Sequence, residues 1–258
     1  MEEGLKKDWL RGFWRLAQPV RITAGKKLFL LPLQYWRFLD DRRKFISMGG
    51  DAPFSELQPC FSDRQASTQS GGGQYFYQDI WALKKLAQAR PGEHHDIGSR
   101  LDGFVGQATA ICPVVYWDIR PPQFQLPGFQ FRLGGFPRLP VPDHSISSLS
   151  CLHVAEHIGL GRYGERLDPL GTQTALAELM RILAPGGQLL LSMPIGQERV
   201  CFNAQRVWHP ERPIAALKEL RLMEFSAVND SGEFLENASP TDLAQSKNSC
   251  GLYRFERG

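Results

Sequence analysis

The sequence of 258 residues has no apolar run that approaches the roughly 20 residues needed for a membrane-spanning helix. The longest candidate, residues 28–39, is interrupted by Pro32, Gln34 and Arg37. The first residues, which include two glutamates, also lack the basic-then-apolar order of a secretory signal peptide. The expectation is a cytoplasmic protein, in which any membrane association would be peripheral.

Cysteine is scarce and scattered along the chain. The five residues are an odd number without a CxxC pair, namely Cys60, Cys112, Cys151, Cys201 and Cys250. This pattern argues against both a disulfide framework and a zinc site. His94 and His95 are adjacent, but no carboxylate or thiol lies at the usual metal-ligand spacing from them. No bound metal is therefore expected.

The sequence also has little net charge, +3 at neutral pH, and this charge is unevenly distributed. Residues 1–45 contain eleven Lys and Arg against five acidic residues, so the remaining 213 residues carry a net charge of −3. The larger part of the chain therefore lacks the basic surplus of a nucleic-acid-binding surface. No nucleic-acid partner is expected.

The basic N-terminal arm has the pattern of an amphipathic helix. Its apolar and basic residues fall on different faces at helical spacing, with Leu5, Trp9, Phe13 and Leu16 on one and Lys7, Arg11 and Arg15 on another. We favour an arrangement in which the apolar face packs on the protein and the charges are solvated. The alternative is that residues 1–18 contact an anionic membrane surface.

After a loop-like segment over residues 47–74, strand and helix patterns alternate. We divide the chain into an N-terminal extension, residues 1–74, and an α/β domain, residues 75–258. Helices are predicted over 76–89, from 103–110, over 172–184 with Thr172 as the cap, and near 211–220, and strands over 94–97, 114–117, 129–133, 145–152, 188–193, 222–228 and 251–256. This alternation predicts an α/β fold with a doubly wound, mostly parallel sheet. The last two strands are expected to form a hairpin that gives the sheet one antiparallel edge.

The ends of the first two predicted strands carry residues that point to a ligand. In an open parallel sheet, ligands bind beyond the carboxyl ends of the strands, where the strand order reverses. Asp96-Ile97-Gly98-Ser99-Arg100 closes the first strand, and Asp118 ends the second, 22 residues after Asp96. An acidic residue at this distance is where a ribose diol is bound. A complete GxGxxG is absent, which argues against a pyrophosphate-containing dinucleotide and less against S-adenosylmethionine, which has no phosphate.

Three later blocks resemble, in order and spacing, the class I S-adenosylmethionine-dependent methyltransferases. They are LPVPDHS at 139–145, SCLHVAEHI at 150–158 and LMRILAPGG at 179–187. The chain further resembles a branch of that superfamily catalogued as a domain of unknown function. The segments that carry this second resemblance are 75–76, 78–79, 96–100, 118–121, 148–153, 156–164, 194–196, 202–206 and 250–252, within a similarity that spans residues 53–258.

The resemblance implies a seven-stranded, Rossmann-like methyltransferase fold with S-adenosylmethionine as its cofactor. It would place Asp96, Gly98 and Ser99, with Arg100 in the same turn, beside the amino acid part of the cofactor, Asp118 at the ribose hydroxyls, Ile119 along the adenine, and the backbone of Leu152 and His153 below the sulfonium. Many relatives have an acidic residue after the third strand, where this chain has Gly134-Gly135. Recognition of adenine near Gly135 would then use the backbone, and the alternative is that cofactor binding has been lost.

Acid–base candidates follow the fourth predicted strand. Methyl transfer to oxygen or nitrogen often needs a base, and histidine is suited to that role near neutral pH. Glu156, His157 and His153 are the candidates here. The alternative, which we favour slightly, is that Glu156 and His157 only fix the glycine-rich loop over residues 159–164.

The function predicted from these observations is methyl transfer from S-adenosylmethionine to a small-molecule or glycan acceptor. Arg100, Arg120 and Arg162 either clamp an anionic acceptor or simply extend into solvent. One alternative is a non-catalytic Rossmann-like module that binds a nucleoside or a partner. Another is a peripheral membrane enzyme recruited through residues 1–18.

Overall fold

The computed structural model describes residues 31–61 and 72–258 and divides the chain into two units between Ser70 and Gly71. The amphipathic helix and membrane contact predicted for residues 1–18 lie outside the described residues. Within the two described stretches, no helix is both long enough and apolar enough to cross a bilayer.

The N-terminal unit contains helix α1 (Leu31–Ser47) and a 3₁₀ turn over Phe54–Glu56. After this turn, Phe61 packs edge-on against Tyr35 of the helix, with 4.7 Å between the ring centroids. Between helix and turn, Arg42 Nε donates to the Ala52 carbonyl oxygen at 2.9 Å. These contacts tie the segment that follows α1 back to the helix.

The larger unit is built on one eight-stranded sheet of order β3-β2-β1-β4-β5-β10-β8-β9, with a separate hairpin of β6 and β7. The strands are β1 (His94–Ile97), β2 (Val114–Asp118), β3 (Phe129–Leu133), β4 (Ile146–Leu152), β5 (Leu183–Ile195), β6 (Arg199–Cys201), β7 (Gln205–Val207), β8 (Leu220–Val228), β9 (Phe234–Leu235) and β10 (Ser249–Arg257), and the helices are α2 (Gln74–Ala89), α3 (Gly106–Ala108), α4 (Gly171–Ile182) and α5 (Arg212–Ala216). The first five strands run parallel. Seven full strands and the two-residue β9 confirm the predicted α/β, mostly parallel fold.

The sheet is covered on both faces, as a doubly wound fold requires. Neighbouring strand residues point to opposite faces. Leu191 of β5 belongs to the cluster that contains Leu179 of α4, whereas the adjacent Leu190 belongs to the cluster that contains Leu86 of α2. Strand order reverses between β1 and β4, so the carboxyl ends of these strands form the switch point at which ligands bind in such sheets.

The prediction of an antiparallel strand at the edge through a terminal hairpin was wrong in one respect. β10 and β8 do pair antiparallel, but β10 lies inside the sheet, between β5 and β8. Every residue from Ser249 to Tyr253 is buried, because β10 is covered by a strand on each side. The edge is instead formed by the short β9, which pairs antiparallel with β8.

Several local boundaries also differ from the sequence prediction. Thr172 does not cap α4, because its hydroxyl donates instead to the Ala155 carbonyl oxygen at 2.9 Å. The helix ends at Ile182, and residues 183–187 already belong to β5. The β6–β7 hairpin after β5 was not predicted, since its three-residue strands are too short to show a periodic pattern.

Candidate functional site

The carboxyl ends of β1, β2 and β4, with the turn after β3, enclose a crevice in the larger unit. Its lining is mainly apolar with a few charged groups and consists of Ile97, Gly98, Trp117, Asp118, Ile119, Arg120, Gly134, Gly135, Phe136, His153, Val154, His157, Ile158, Tyr163 and Glu165. A concave apolar site with a few polar groups is the usual form of a small-molecule site. The crevice therefore brings together Gly98, Asp118, Ile119, Gly135, His153 and His157 of the residues predicted from sequence.

Glycine is required at the turn after β1. Gly98 has φ of +70°, a conformation that other residues rarely adopt. Its amide donates to the Trp117 carbonyl oxygen at 2.9 Å, and a Cβ at this position would lie 3.1 Å from Val154 Cγ1. The turn thus brings bare backbone to the crevice, where a ligand can approach it closely.

Asp96 and Ser99 lie beneath the crevice and do not line it. The Asp96 side chain is fully buried, and its Oδ1 accepts from the Ser99 amide at 3.0 Å while its Oδ2 accepts from the Ser99 hydroxyl at 2.6 Å. The Ser150 hydroxyl also donates to Oδ2. This placement does not agree with the expected contact between Asp96 and a ligand ammonium, because both carboxylate oxygens already accept hydrogen bonds from Ser99, and Oδ2 accepts another from Ser150.

The network below the crevice continues to a histidine that sequence reasoning did not assign to it. His94 is fully buried, and its ring nitrogens lie 2.8 Å from the hydroxyls of Ser148 and Ser150. Burial, with a smaller effect of His95, lowers the pKa of His94 to about 3, so the imidazole is neutral. His94 thus orients Ser150, which in turn holds Asp96. The sequence signal for this network was the pair Ser148 and Ser150, two residues apart on β4 and therefore on the same face of the sheet.

Asp96 makes a testable contribution to the pH dependence of stability. Burial, partly offset by hydrogen bonds from Ser150 and Ser99, raises the pKa of Asp96 to about 6. Because an unfolded aspartate titrates near 3.9, this group stabilises the fold by about 2–3 kcal/mol below about pH 4, and that contribution is lost as the pH rises through about 6.

The measurement is the free energy of unfolding in urea, wild type minus Asp96→Asn, at several pH values across that range. The difference is expected to fall steadily as the pH rises, because the asparagine side chain of the variant has no proton to release. Subtracting the variant removes the opposite contributions of other carboxyl groups. A difference that does not change with pH would show that Asp96 does not titrate as described.

Asp118 is the charged group at the end of β2 that faces the crevice. Its Oδ1 accepts from the Arg120 amide at 2.8 Å and from Arg120 Nε at 3.0 Å, and its Oδ2 accepts from the Tyr116 hydroxyl at 2.8 Å and from Arg120 Nη2 at 3.0 Å. Burial raises the pKa of Asp118, but these donors outweigh it and hold the pKa below the ordinary value. Asp118 is therefore ionised at neutral pH and presents a carboxylate whose outer partner, the half-exposed Arg120 side chain, can be exchanged.

Ile119, Gly134 and Gly135 form the side of the crevice next to Asp118. The Ile119 side chain is half exposed, as a wall residue for an apolar ligand would be. A Cβ on Gly134 would lie 3.0 Å from the Trp117 ring, and one on Gly135 would lie 3.1 Å from Ile119 Cγ2. The glycine pair therefore keeps this wall thin and leaves backbone groups at its surface.

His153 follows β4 in a strained conformation, with φ of +55°. Its Nδ1 lies 2.8 Å from Glu156 Oε1, and its Nε2 lies 3.3 Å from Cys250 Sγ. Its amide donates to the carbonyl oxygen and hydroxyl of Ser192, both at 3.0 Å. Because both ring nitrogens already have protein partners, neither is directed at a ligand in the crevice.

Leu152 and Glu156 lie below the crevice, next to His153. The Leu152 amide donates to the Ser99 hydroxyl at 3.0 Å, and its side chain is buried in the core. Glu156 is fully buried in the 3₁₀ turn over Ala155–His157. Neither residue lines the crevice, whereas His153 and His157 do.

His157 is the other histidine in the lining of the crevice. Its Nδ1 lies 2.6 Å from the Ala204 carbonyl oxygen, which requires that Nδ1 carries the proton and donates it. Nε2 then holds a lone pair, with Arg162 Nη1 at 3.4 Å and Glu156 Oε1 at 3.7 Å. Of the three catalytic candidates, His153 and His157 line the crevice, and only His157 keeps a ring nitrogen whose polar contacts are as long as 3.4 Å and more.

The three arginines predicted as a clamp do not act together. Arg100 pairs with Asp102 and lies 4.9 Å from the centroid of the Tyr75 ring, outside the crevice lining. Arg120 and Arg162 instead lie over the Tyr163 ring, at 4.8 and 5.3 Å from its centroid. Two guanidinium groups therefore flank one aromatic ring beside the crevice.

A buried arginine holds the loop that carries Tyr163. Arg206, on β7, donates from Nη1 to the Ile158 carbonyl oxygen at 2.6 Å and from Nη2 to the Asp168 carbonyl oxygen at 2.8 Å. Longer bonds reach the Pro169 carbonyl oxygen at 3.3 Å and the Thr172 hydroxyl at 3.2 Å. The unpredicted hairpin thus closes both ends of the loop over residues 159–170.

Solved structures of several methyltransferases share this architecture. The N-methyltransferase NodS from Bradyrhizobium japonicum WM9, in complex with S-adenosyl-L-homocysteine, aligns with a TM-score of 0.50 at 15% identity, covering 74% of this chain and 91% of NodS. A proposed sarcosine dimethylglycine methyltransferase from Galdieria sulphuraria aligns with a TM-score of 0.53 at 15% identity, covering 84% and 98%. Geranyl diphosphate methyltransferase in complex with SAM aligns with a TM-score of 0.52 at 13% identity, covering 70% and 85%. The chain therefore has the Rossmann-like fold of the class I methyltransferases.

A family model gives a more specific match. The model DUF268, described as a Caenorhabditis protein of unknown function, matches residues 144–234, about a third of the chain. No curated protein sequence matches the chain significantly. The fold that the first resemblance implies, that of the class I methyltransferases, is confirmed, and the DUF268 match over residues 144–234 agrees with the second, to a branch of unknown function.

Proposed function

We propose that this protein is an S-adenosylmethionine-dependent methyltransferase that acts on a small-molecule or glycan acceptor. The observation that carries the proposal is the crevice at the switch point, in which an ionised Asp118, bare backbone at Gly98 and an apolar wall meet. These groups fit a nucleoside with a polar tail and no phosphate. When bound, the cofactor would supply an electrophilic methyl group on a sulfonium.

The residues of the crevice divide the binding task. The Asp118 carboxylate accepts hydrogen bonds from the two ribose hydroxyls, for which Arg120 must leave it. Ile119 and the Gly134-Gly135 backbone bound the adenine, and Gly98 provides close approach at the amino acid tail. Asp96, Ser99 and Leu152 act one layer below, because their hydrogen bonds fix the turn after β1 to the end of β4.

His157 is the residue that we assign to the acceptor's proton. His157 lines the crevice, and its Nδ1–H bond to the Ala204 carbonyl oxygen leaves the lone pair on Nε2. In a screen of acceptors with labelled S-adenosylmethionine, His157→Gln should abolish transfer while leaving the affinity for S-adenosylhomocysteine within about threefold, less than 1 kcal/mol. Equal turnover by the variant would remove His157 from this role.

Arg120 and Arg162 favour an acceptor with an anionic group. They lie together on Tyr163 at the crevice, and guanidinium groups bind carboxylates and phosphates in a bidentate manner. Once Arg120 has left Asp118, both cations are available to such a group. The test is to compare turnover of acidic and neutral acceptors from one library. Acidic compounds are expected to react faster, and turnover confined to neutral compounds would contradict the proposal.

Calorimetric titration tests the proposed function directly. The folded full-length protein is expected to bind S-adenosylmethionine and S-adenosylhomocysteine with one site per chain. A heat response to neither ligand at millimolar concentration would overturn the proposal and favour the non-catalytic module. Binding of adenosine alone, without added affinity from the amino acid tail, would likewise favour a nucleoside-binding module.

A further inference from the structure

Beside the crevice, three residues that are distant in sequence form a chain of polar contacts. Cys250 Sγ lies 3.3 Å from His153 Nε2, and His153 Nδ1 lies 2.8 Å from Glu156 Oε1. A thiol, an imidazole and a carboxylate in this order are the groups that activate a cysteine for nucleophilic chemistry. Cys250 is the second residue of β10 and is held between Pro194 of β5 and Val228 of β8.

Two further features mark this cluster as more than core packing. His153 has the left-handed backbone conformation that costs free energy outside glycine. Glu156 is fully buried, and its Oε2 has no hydrogen-bond partner among the described residues. A buried polar oxygen without a partner is costly, and the His153 ring beside the other oxygen of Glu156 is the polar contact that offsets this cost.

We propose that Cys250, His153 and Glu156 form a thiolate–imidazolium–carboxylate relay and that Cys250 is a modification site for small oxidants such as hydrogen peroxide. The proton of the thiol resides on His153, and Glu156 holds the resulting imidazolium through Nδ1. The other polar neighbour of the sulphur among the described residues is the Gly251 carbonyl oxygen, at the longer distance of 3.8 Å. The imidazolium is thus its principal partner.

The charges around His153 agree with this assignment. The titratable or charged groups that surround it are Tyr75 and Asp79 on α2, Glu156 and His157 in the turn after β4, Cys250 on β10, and Arg100 beyond the Tyr75 ring. Burial alone lowers the pKa of His153, but the contacts with Cys250 and Glu156 outweigh it and raise the pKa well above the ordinary value. The described residues contain no cluster of three His, Cys, Asp or Glu side chains arranged to hold a metal ion, so metal binding does not account for the arrangement.

The chemistry of the modification balances without a further reagent. The thiolate of Cys250 attacks one oxygen of hydrogen peroxide, so that an S–O bond forms as the O–O bond breaks. The departing hydroxide takes the proton from the His153 imidazolium and leaves as water. Sulphur is oxidised to the sulfenic acid, and the peroxide is reduced. The half-exposed Tyr75 ring packs on the His153 ring, with 4.9 Å between the centroids, and Cys250 itself is fully buried, which favours small oxidants over bulky ones.

The ultraviolet absorbance of the thiolate tests the relay without requiring reagent access. The full-length protein is titrated with acid from about pH 8 to about pH 5, alongside Cys250→Ser and the matched buried control Cys151→Ser. Wild type and Cys151→Ser are expected to hold one thiolate more than Cys250→Ser at neutral pH. His153→Gln and Glu156→Gln should each diminish this signal. If one of these variants does not fold, the other still tests the relay. Absence of the Cys250-dependent thiolate at neutral pH would overturn the relay.

Peroxide treatment followed by mass spectrometry of sulfenic-acid adducts tests the modification. The chain contains its own comparison thiols, because Cys112 and Cys151 are buried like Cys250, whereas Cys60 is exposed. Cys250 is expected to be oxidised at least about tenfold faster than Cys112 and Cys151, since neither of these has an imidazole partner. A Cys250 thiolate that reacts no faster than those two would confine the relay to a structural role and overturn the modification site.

Discussion

Replacing Asp118 with alanine is expected to raise the dissociation constant for S-adenosylhomocysteine about 100-fold. In the proposed complex the carboxylate accepts one hydrogen bond from each ribose hydroxyl, and each charge-assisted bond contributes about 1.5 kcal/mol or more. Asp118→Asn keeps one acceptor oxygen and is expected to lose about tenfold. Calorimetric titration of each variant gives the constants, and circular dichroism shows whether the fold is retained.

Arg120→Met provides the matched control, and its expected effect has the opposite sign. Arg120 holds both oxygens of Asp118 through Nε and Nη2, so a ligand that binds Asp118 has to displace it. The Arg120 side chain is 61% exposed, which limits this competition to less than about 1 kcal/mol, or a gain of up to about fivefold in affinity. Unchanged affinity in Asp118→Ala would place the ribose elsewhere. A loss of affinity in Arg120→Met would show that Arg120 assists binding.

The second large effect concerns Arg206, whose replacement by methionine is expected to lower the free energy of unfolding by about 3 kcal/mol. Methionine fills much of the same space but leaves the Ile158 and Asp168 carbonyl oxygens without their donor. Each buried group that loses its partner costs about 1–3 kcal/mol. The Ile158 carbonyl directly precedes the loop over residues 159–170, and the Asp168 carbonyl lies near its end. Because this loop carries Tyr163 and Glu165 of the crevice, affinity for S-adenosylhomocysteine should fall as well.

Urea unfolding measures the global effect, and amide hydrogen exchange of residues 159–170 measures the local one. Arg221→Met is the control, since Arg221 is 69% exposed and its pairing with Glu256 spans 3.7 Å. Surface changes of this kind usually alter stability by less than about 0.5 kcal/mol. Equal losses in both variants would indicate a general effect of removing an arginine. Unchanged exchange in the loop of Arg206→Met would show that Arg206 does not hold it.

The first three strands of the sheet could be predicted from the sequence almost residue by residue. β1 and β3 have the predicted bounds, and β2 ends at Asp118 as expected. β2 is an apolar run and β3 an alternating one, so in these two strands local propensity and burial act in the same direction, whereas the polar β1 is marked by the Pro91-Gly92 pair before it and Gly98 after it. The spacing from Asp96 to Asp118 therefore indicated the carboxyl edge of the sheet, where the crevice lies.

The direction of individual side chains was decided by the tertiary structure. Asp96 turns into the core because Ser150, from a strand more than 50 residues away, donates to it there. His153 cannot serve the crevice through its ring nitrogens because Glu156 and Cys250 occupy both of them, and Cys250 arrives from the last strand.

The sequence alone thus determined the alternation of the main strands and helices and the acidic end of β2, because these depend on local periodicity and spacing. The insertion of β10 between β5 and β8, the clamp of Arg206 on the loop over residues 159–170, and the meeting of Cys250 with His153 depend on contacts between segments far apart in the chain. Only packing of the whole sheet brings such groups within hydrogen-bond distance, and no local pattern encodes the partner that each will meet.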